Sequence, residues 1–322
     1  MKAFQILEYN RTQIREIDIP TPKPGEILIK IEACALNFAD TLMVAGRYQE
    51  KPTFPFSPGL EFAGTVQAKG DAIHNFAVGD RVSGFSSHGG LAQYGCFPAD
   101  ACVVCPDEMS LEHAAAFQIA YGTSLCALSH RAQMHPGETL LVTGAAGGVG
   151  LTAIEIGKLM GARVIASARG QDKLDIAQKA GADHLIDSDT EDLRSAVKAL
   201  GGADVVYETI GGAVFSEALR AMNPEGRMIP IGFAGGDVPQ IPANHLLVKN
   251  LTVIGLYWGG YTKFAPEVIA KTMKQLNTWY LEGKLHPHIS QRLPLSQTED
   301  ALDLLRSRKS TGKVVVLPWA NG

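Results

Sequence analysis

The chain has 322 residues, 46% hydrophobic and 19% charged, enough apolar material for two domains with sizeable cores. Its formal net charge of -4 excludes the basic footprint of a nucleic-acid binder. No apolar run approaches the ~20 residues of a membrane span. Five cysteines and a start that reads as a strand, not a leader, point to free thiols in a reducing, cytoplasmic setting.

The first elements read as short strands. Met1-Lys2-Ala3-Phe4-Gln5-Ile6, Glu26-Ile27-Leu28-Ile29-Lys30-Ile31-Glu32 and Glu61-Phe62-Ala63-Gly64-Thr65-Val66 are separated by turn signals such as Pro20-Thr21-Pro22-Lys23-Pro24-Gly25 and Val78-Gly79-Asp80. Residues 1–124 are therefore expected to form a mainly-β domain. Cys102-Val103-Val104-Cys105 is formally a C-x-x-C pair. It sits in an apolar strand before Pro106, where buried cysteine behaves as a small hydrophobe, and that reading outweighs a metal or redox role.

From 125 to 260 the pattern changes. Strand candidates at 139–143, 162–166, 203–207 and 226–231 alternate with helical stretches, the signature of a doubly wound α/β sheet. None of the nine histidines has a catalytic setting; His245 falls in a helical stretch at 242–247. A last segment, 261–322, is expected to return to the first domain, with a helix near 266–282 and an apolar strand at Val314-Val315-Val316-Leu317.

The most specific motif lies inside the alternating region. Thr139-Leu140-Leu141-Val142-Thr143 reads as a buried parallel strand, and Val149, Ala153, Ile156 and Met160 recur at helical spacing. Between them runs Gly144-Ala145-Ala146-Gly147-Gly148-Val149-Gly150. Strand, glycine turn and helix make a dinucleotide fingerprint, with Ala145 at the first glycine position and Gly147 and Gly150 at the others. Gly147 would let backbone approach a pyrophosphate at the helix start, and Gly150 would let helix and strand pack closely. After the next strand, at Ile165-Ala166-Ser167-Ala168-Arg169-Gly170, an NAD site would place an acidic residue where Ala168 stands. Ser167, Arg169 and Lys173 could instead serve a 2′-phosphate, so NADPH is the expected cofactor; Arg169 and Lys173 as plain surface cations are the alternative. Asp172 complicates the charge balance unless it only caps the following helix.

Ala35-Leu36-Asn37-Phe38-Ala39-Asp40-Thr41, Gly46-Arg47-Tyr48, Pro55-Phe56-Ser57-Pro58-Gly59-Leu60-Glu61-Phe62-Ala63-Gly64, Val78-Gly79-Asp80-Arg81-Val82, the glycine turn and Gly312-Lys313-Val314-Val315 follow one another in a specific order. In them the chain resembles the zinc-independent quinone oxidoreductases of the medium-chain dehydrogenase/reductase superfamily over nearly its whole length. The resemblance implies an α/β fold in which a GroES-like mainly-β catalytic domain, 1–124 and 261–322, is interrupted by a Rossmann doubly wound parallel-sheet domain, 125–260, with the cofactor in the cleft.

Zinc-dependent relatives supply a cysteine, the histidine of a Gly-His-Glu triplet and a later cysteine or aspartate. Here those positions read Asn37, Leu60 of Gly59-Leu60-Glu61, and a stretch near Ala116-Phe117-Gln118 without Cys or His. Cys96, Cys102 and Cys105 are too few for the relatives' structural zinc. No metal is expected.

The resemblance further implies site residues. Tyr48 is the candidate donor to the substrate oxygen, or a pocket wall. Asn37 and Asp40 lie near the nicotinamide, Asp40 also readable as a structural residue. Thr123 faces the nicotinamide ribose, or caps a helix. Arg308 approaches the cofactor late in the chain, and Ser188 stands where relatives often have a tyrosine. Gly232-Phe233 and Tyr257-Trp258, after the fifth and sixth strands, would border the cofactor at the carboxyl end of the sheet, unless the aromatics only pack an interface. The strand 251–255 is expected to pair across a two-fold axis in a homodimer. Without a metal, quinones or α,β-unsaturated carbonyls suit the site as hydride acceptors. Alternatives are an enoyl-thioester reductase and an NADPH-binding structural or sensor protein.

Overall fold

The computed structural model describes residues 1–321. The chain divides into two compact units, Met1–Ile119 with the residues from Pro287 onward, and Ala120–His286.

The first unit opens with an antiparallel hairpin, β1 (Lys2–Glu8) and β2 (Arg11–Glu16). It continues through β3 (Glu26–Leu36), α1 (Phe38–Val44), β4 (Glu61–Lys69), β5 (Arg81–Phe85), β6 (Tyr94–Pro98), β7 (Cys102–Val104) and α2 (Leu111–Ala115). The side-chain period of two sends Ile27, Ile29 and Ile31 of β3 into one apolar cluster with Phe62, Val82 and Phe97. Toward its end Cys34 and Leu36 join a second cluster of Phe4, Ile6, Met43, Phe56, Leu60 and Leu91. Cys102 and Cys105 are buried and free, and burial pushes the Cys102 thiol up to about 12, so neither is a thiolate ready for metal or redox work.

The helix α3 (Gln118–Leu125) contains the first crossing between units. The second unit then alternates β8 (Thr139–Thr143), α4 (Gly148–Leu159), β9 (Arg163–Ala168), α5 (Gln171–Lys179), β10 (His184–Asp187), α6 (Leu193–Ala199), β11 (Ala203–Glu208), α7 (Gly212–Ala221) and β12 (Met222–Pro230). After it come α8 (Ala243–Lys249), β13 (Thr252–Val253), α9 (Tyr261–Phe264) and α10 (Pro266–Leu281). All strand pairs in this sheet are parallel, in the order β10-β9-β8-β11-β12-β13. Every residue of β8 is buried, as the continuous apolar run requires of a central parallel strand. The order reverses between β8 and β11, the switch point at which such sheets bind ligands. The sixth strand, expected over 251–255, is reduced to two residues.

The chain returns through β14 (Ile289–Pro294), α11 (Thr298–Arg306) and β15 (Lys313–Leu317), completing a sheet in the order β14-β15-β3-β4-β5-β7, with β6 on β3. The crossings therefore fall earlier than 124 and later than 260. The helix α10 belongs to the second unit, where Met273 and Leu276 are buried. Near both crossings runs a polar tie that periodicity does not show. Glu155 of α4 accepts the His286 N–H at 3.0 Å and the Tyr121 hydroxyl at 2.5 Å, holding both ends of the unit to one helix.

Burial raises the Glu155 carboxyl to about 7, against the bonds from Tyr121 and His286 that lower it. A raised folded-state value means the native chain holds this proton more tightly than the unfolded one. The stability it contributes is fully present below the ordinary carboxyl range and is lost as pH rises through about 7. Glu155→Gln keeps an acceptor for His286, offers Tyr121 an N–H donor in place of the carboxylate acceptor, and cannot ionise. Thermal melts at pH 5 and pH 8 should show the variant's pH dependence reduced by about 1–3 kcal/mol relative to the native chain; an identical pH profile would contradict this assignment.

Candidate active site

In the first unit a polar corner forms where three strands end or begin. β3 stops at Leu36, and Asn37 takes extended dihedrals (φ -120, ψ 155) as the N-cap of α1. Asp40, at the third helical position, reaches back to the Asn37 N–H at 2.8 Å with one oxygen and accepts the Gly59 N–H at 3.0 Å with the other. It is wholly buried, and burial raises its carboxyl to about 6 despite those bonds and the nearby Lys313. Both oxygens face backbone donors, so Asp40 frames the corner.

The Lys313 ammonium donates to Asn37 Oδ1 at 2.8 Å and to Glu61 Oε2 at 3.0 Å. The Asn37 amide nitrogen donates to the same Glu61 oxygen at 3.3 Å and to the Ala35 carbonyl at 3.4 Å. Glu61 Oε1 accepts the Ile119 N–H at 2.7 Å. The side chains of Lys313 and Glu61 are 6% and 0% exposed, a buried ion pair with its remaining acceptors used. Neither residue was singled out in the sequence, although each is a charge set beside an apolar run. Tyr48 lies half-buried against the Phe56–Leu60 cluster. Arg308 follows α11 in a left-handed backbone (φ 56) and also belongs to this unit.

In the second unit the glycine turn after β8, Ser167 and Ala168 at the end of β9, and Gly232-Phe233 after β12 lie at carboxyl ends of parallel strands. The turn Gly144–Gly150 divides its duties among its glycines. Gly144, one place before the expected position, supplies the positive φ of 58, and a Cβ there would strike Thr209 Oγ1 at 2.3 Å. The tight turn thus needs no glycine at Ala145. Gly150 carries the close approach: its Cβ would meet the Gly144 and Ala145 carbonyl oxygens at 2.5 and 2.7 Å. At Gly147, the N-cap of α4, a Cβ would meet only Gly144 O at 3.2 Å. No side chain caps this helix, which leaves the first-turn donors of Gly148, Val149 and Gly150 to an anion.

Beside the turn, buried Glu208 accepts the Ile210 and Gly211 N–H groups at 2.8 and 3.0 Å, and the Thr143 hydroxyl at 3.2 Å. Thr209 donates twice to Thr143, from its N–H to Oγ1 at 3.0 Å and from its hydroxyl to the carbonyl at 2.9 Å. The Ala234 and Gly235 N–H groups donate to Thr209 and Ile210 carbonyls, which brings Gly232 and Phe233 to the same switch point. At the end of β9, Ala168 and Ser167 are buried, Arg169 is exposed and Lys173 half-buried; Ser188 is exposed, its N–H on the Ala168 carbonyl. Asp187, which sequence reasoning passed over, holds the Gly170 N–H at 3.0 Å and thereby the turn carrying Arg169. Thr123 and Ala146 are buried and Tyr257 is exposed. Trp258 is buried face-on to Gly122, where a Cβ would meet its ring at 2.6 Å, so its indole is a packing surface for α3.

The donor set does not suit a catalytic zinc. Leu60 is buried in the apolar cluster, and Asn37 turns its only oxygen to an ammonium. Zinc requires thiolate, imidazole or carboxylate at these places. Among the described residues no group of three or more His, Cys, Asp or Glu side chains is gathered to hold a metal.

A GroES-like sheet domain joined to a six-stranded parallel sheet with a glycine turn at its switch point defines a medium-chain dehydrogenase/reductase. Residues 23–107 match the model of the alcohol dehydrogenase GroES-like domain, and residues 148–276 that of the zinc-binding dehydrogenases. The quinone oxidoreductase-like protein 2 homolog of Nematostella vectensis is 40% identical over 98% of this chain and 88% of its own length. Among solved structures, mycobacterial Rv1454c complexed with NADPH superposes with a TM-score of 0.93 at 28% identity, covering 99% of this chain and 100% of its own. Escherichia coli quinone oxidoreductase complexed with NADPH gives 0.92 at 28% identity, with the same coverage. The chain belongs to the quinone oxidoreductase-like proteins of the medium-chain dehydrogenase/reductase superfamily.

The two glycines of the turn should separate by experiment. Gly150→Ala forces backbone apart and should lower stability by about 1–3 kcal/mol in thermal melts without ligand. Gly147→Ala should melt within about 0.5 kcal/mol of the native chain yet lose most dinucleotide affinity by titration calorimetry. Equal melting losses for both variants would contradict this division.

Proposed function

We propose that this protein is an NADPH-dependent oxidoreductase that reduces quinones or α,β-unsaturated carbonyls without zinc. The observation that carries this reading is the polar corner of the first unit: where zinc-dependent relatives place ligands, this chain has a buried leucine and an asparagine amide held by Lys313 and Glu61. Such a corner offers hydrogen-bond donors and no Lewis acid. The NADPH bound in the similar mycobacterial and Escherichia coli structures and the open cradle at Gly147 support the cofactor assignment.

Bound NADPH supplies the hydride. The first-turn N–H groups of Gly148, Val149 and Gly150 would take its pyrophosphate, with Ala146, Thr123, Gly232, Phe233 and Tyr257 as further contacts. Ser167, Arg169, Lys173 and Ser188 of the second unit would discriminate its 2′-phosphate. Conjugated acceptors take hydride at carbon and pass negative charge to an oxygen. The Asn37 amide N–H and the Tyr48 hydroxyl are the groups assigned to that oxygen. Asp40 holds Asn37 and Gly59 in place and moves no proton.

A homodimer accompanies this reading. β13 is the edge of its sheet, bonded only to β12, and Leu247 and Val248 beside it are 77% and 72% exposed. Five free cysteines agree with a reducing, cytoplasmic location.

The test is an NADPH-oxidation panel of ortho-quinones, para-quinones, short enones and crotonyl-CoA, run with and without chelator beside elemental analysis. Turnover of quinones or enones by metal-free protein is expected. One zinc per chain with chelator-sensitive activity would overturn the metal-free assignment, and preference for crotonyl-CoA would make the protein an enoyl-thioester reductase.

Two variants probe the residues. Tyr48→Phe should slow single-turnover hydride transfer to enones about 10²-fold with little change in KM; an unchanged rate on every accepted substrate removes Tyr48 from the donors. Arg169→Ala should weaken NADPH binding about five- to tenfold and leave NADH binding unaltered, the worth of an exposed charge-assisted contact. Equal affinity of the native chain for both cofactors would refute the 2′-phosphate site.

A further inference from the structure

We infer that Lys313 is a positioning residue which, with Glu61, fixes the end of the Asn37 amide offered to the reduced acceptor. The inference rests on the hydride-transfer reading above. Its basis is strand register. β15 runs antiparallel to β3 with Val314 opposite Leu36, so Lys313 falls opposite Asn37. Glu61 begins β4 opposite Ala35. Three neighbouring strands thus bring an ammonium, a carboxylate and an amide to one corner.

An asparagine amide has two ends of almost equal shape, and its neighbours alone decide which way it points. Here Oδ1 receives the Lys313 ammonium, while Nδ2 faces Glu61 Oε2 and the Ala35 carbonyl. Turning the amide over would set its N–H groups against the ammonium and its oxygen against two acceptors, reversing every contact. The bond to Oδ1 is short, 2.8 Å, whereas those from Nδ2, at 3.3 and 3.4 Å, are longer than ordinary N–H···O bonds. Both Nδ2 hydrogens thus rest on weakly held acceptors, and an incoming oxygen of higher charge would take one of them in competition with the Ala35 carbonyl, at a residue that is only half-buried. An acceptor that has taken hydride needs an N–H at its charged oxygen and is repelled by a carbonyl, so the locked orientation is the productive one. Lys313 is itself too buried for water to stand in for it.

Lys313→Met alone would leave the Glu61 charge buried and unpaired, which threatens folding. The test therefore uses Lys313→Met with Glu61→Gln, which removes both charges and keeps an acceptor for Ile119. In the first arm, the side-chain amide signals of Asn37 are assigned in NMR spectra by their loss in Asn37→Ala. They should be a sharp pair in the native chain and should shift and broaden in the double variant as both orientations are sampled. In the second arm, hydride transfer to an accepted quinone should fall about tenfold in the double variant, with the KM for NADPH unchanged. Adding Asn37→Ala to it should produce no further fall beyond that of Asn37→Ala alone. Unchanged Asn37 amide signals, or rate losses that multiply, would overturn the inference. If the native chain reduces no acceptor at all, the hydride-transfer reading fails, and the amide signals still decide whether Lys313 sets the orientation.

Discussion

A lysine and a glutamate buried side by side set the geometry of the first unit. Removing two charges from water is unfavourable by several kcal/mol per ion unless every lone pair and proton finds a partner. Glu61 approaches that condition through Lys313, Asn37 and the Ile119 backbone, and Lys313 places two of its three N–H groups on Glu61 and Asn37. The condition also constrains register. Sliding β15 by one residue along β3 would carry the Lys313 ammonium into the Leu36–Val316 cluster, where nothing compensates it. Apolar packing alone would tolerate more than one alignment of Val314, Val315 and Val316; the ion pair removes the others. Asp40, wholly buried in the same unit, is compensated differently, by backbone N–H groups of Asn37 and Gly59.

The second unit solves a related problem at its switch point. Strand ends there expose backbone donors and acceptors that no neighbouring strand satisfies. Glu208, Thr143 and Thr209 satisfy those of the loop after β11, and that loop in turn anchors the loop after β12. The start of α4 lacks a side-chain cap, and that end of a helix attracts an anion. The polar groups of the loop after β11 are engaged with one another, whereas the first-turn donors of α4 are open to a pyrophosphate. Hydride chemistry in this family then calls for little more from the protein than position, exclusion of water and a donor for developing charge.

Much of the candidate site could be read from residue order. Gly147 and Gly150 follow a buried strand and open a helix, and Asn37, Leu60 and Ala168 are legible as replacements for groups that other members of the superfamily carry. The roles of Glu61 and Lys313 could not be read that way, because they lie far apart in the chain and acquire meaning only as neighbours across β3. Gly144 shows the same limit locally. The fingerprint spacing assigns the tight turn to Ala145, but the positive φ belongs to the residue whose Cβ would collide with Thr209, a side chain from another strand. Trp258 reads as a cofactor-edge aromatic by position and packs on Gly122 in the fold.

The sequence by itself determined the two kinds of sheet, the parallel order implied by strand–helix alternation, and the glycine turn between β8 and α4. These follow from hydrophobic period and backbone freedom, which are local properties of the chain. Tertiary structure alone decided where the units part, after Ile119 and before Pro287, and it set Glu155 against Tyr121 and His286. It likewise decided which end of the Asn37 amide meets Lys313 and which acidic residues end up buried. Those outcomes are electrostatic bonds between residues distant in sequence, and their energy depends on burial and geometry that no local pattern encodes.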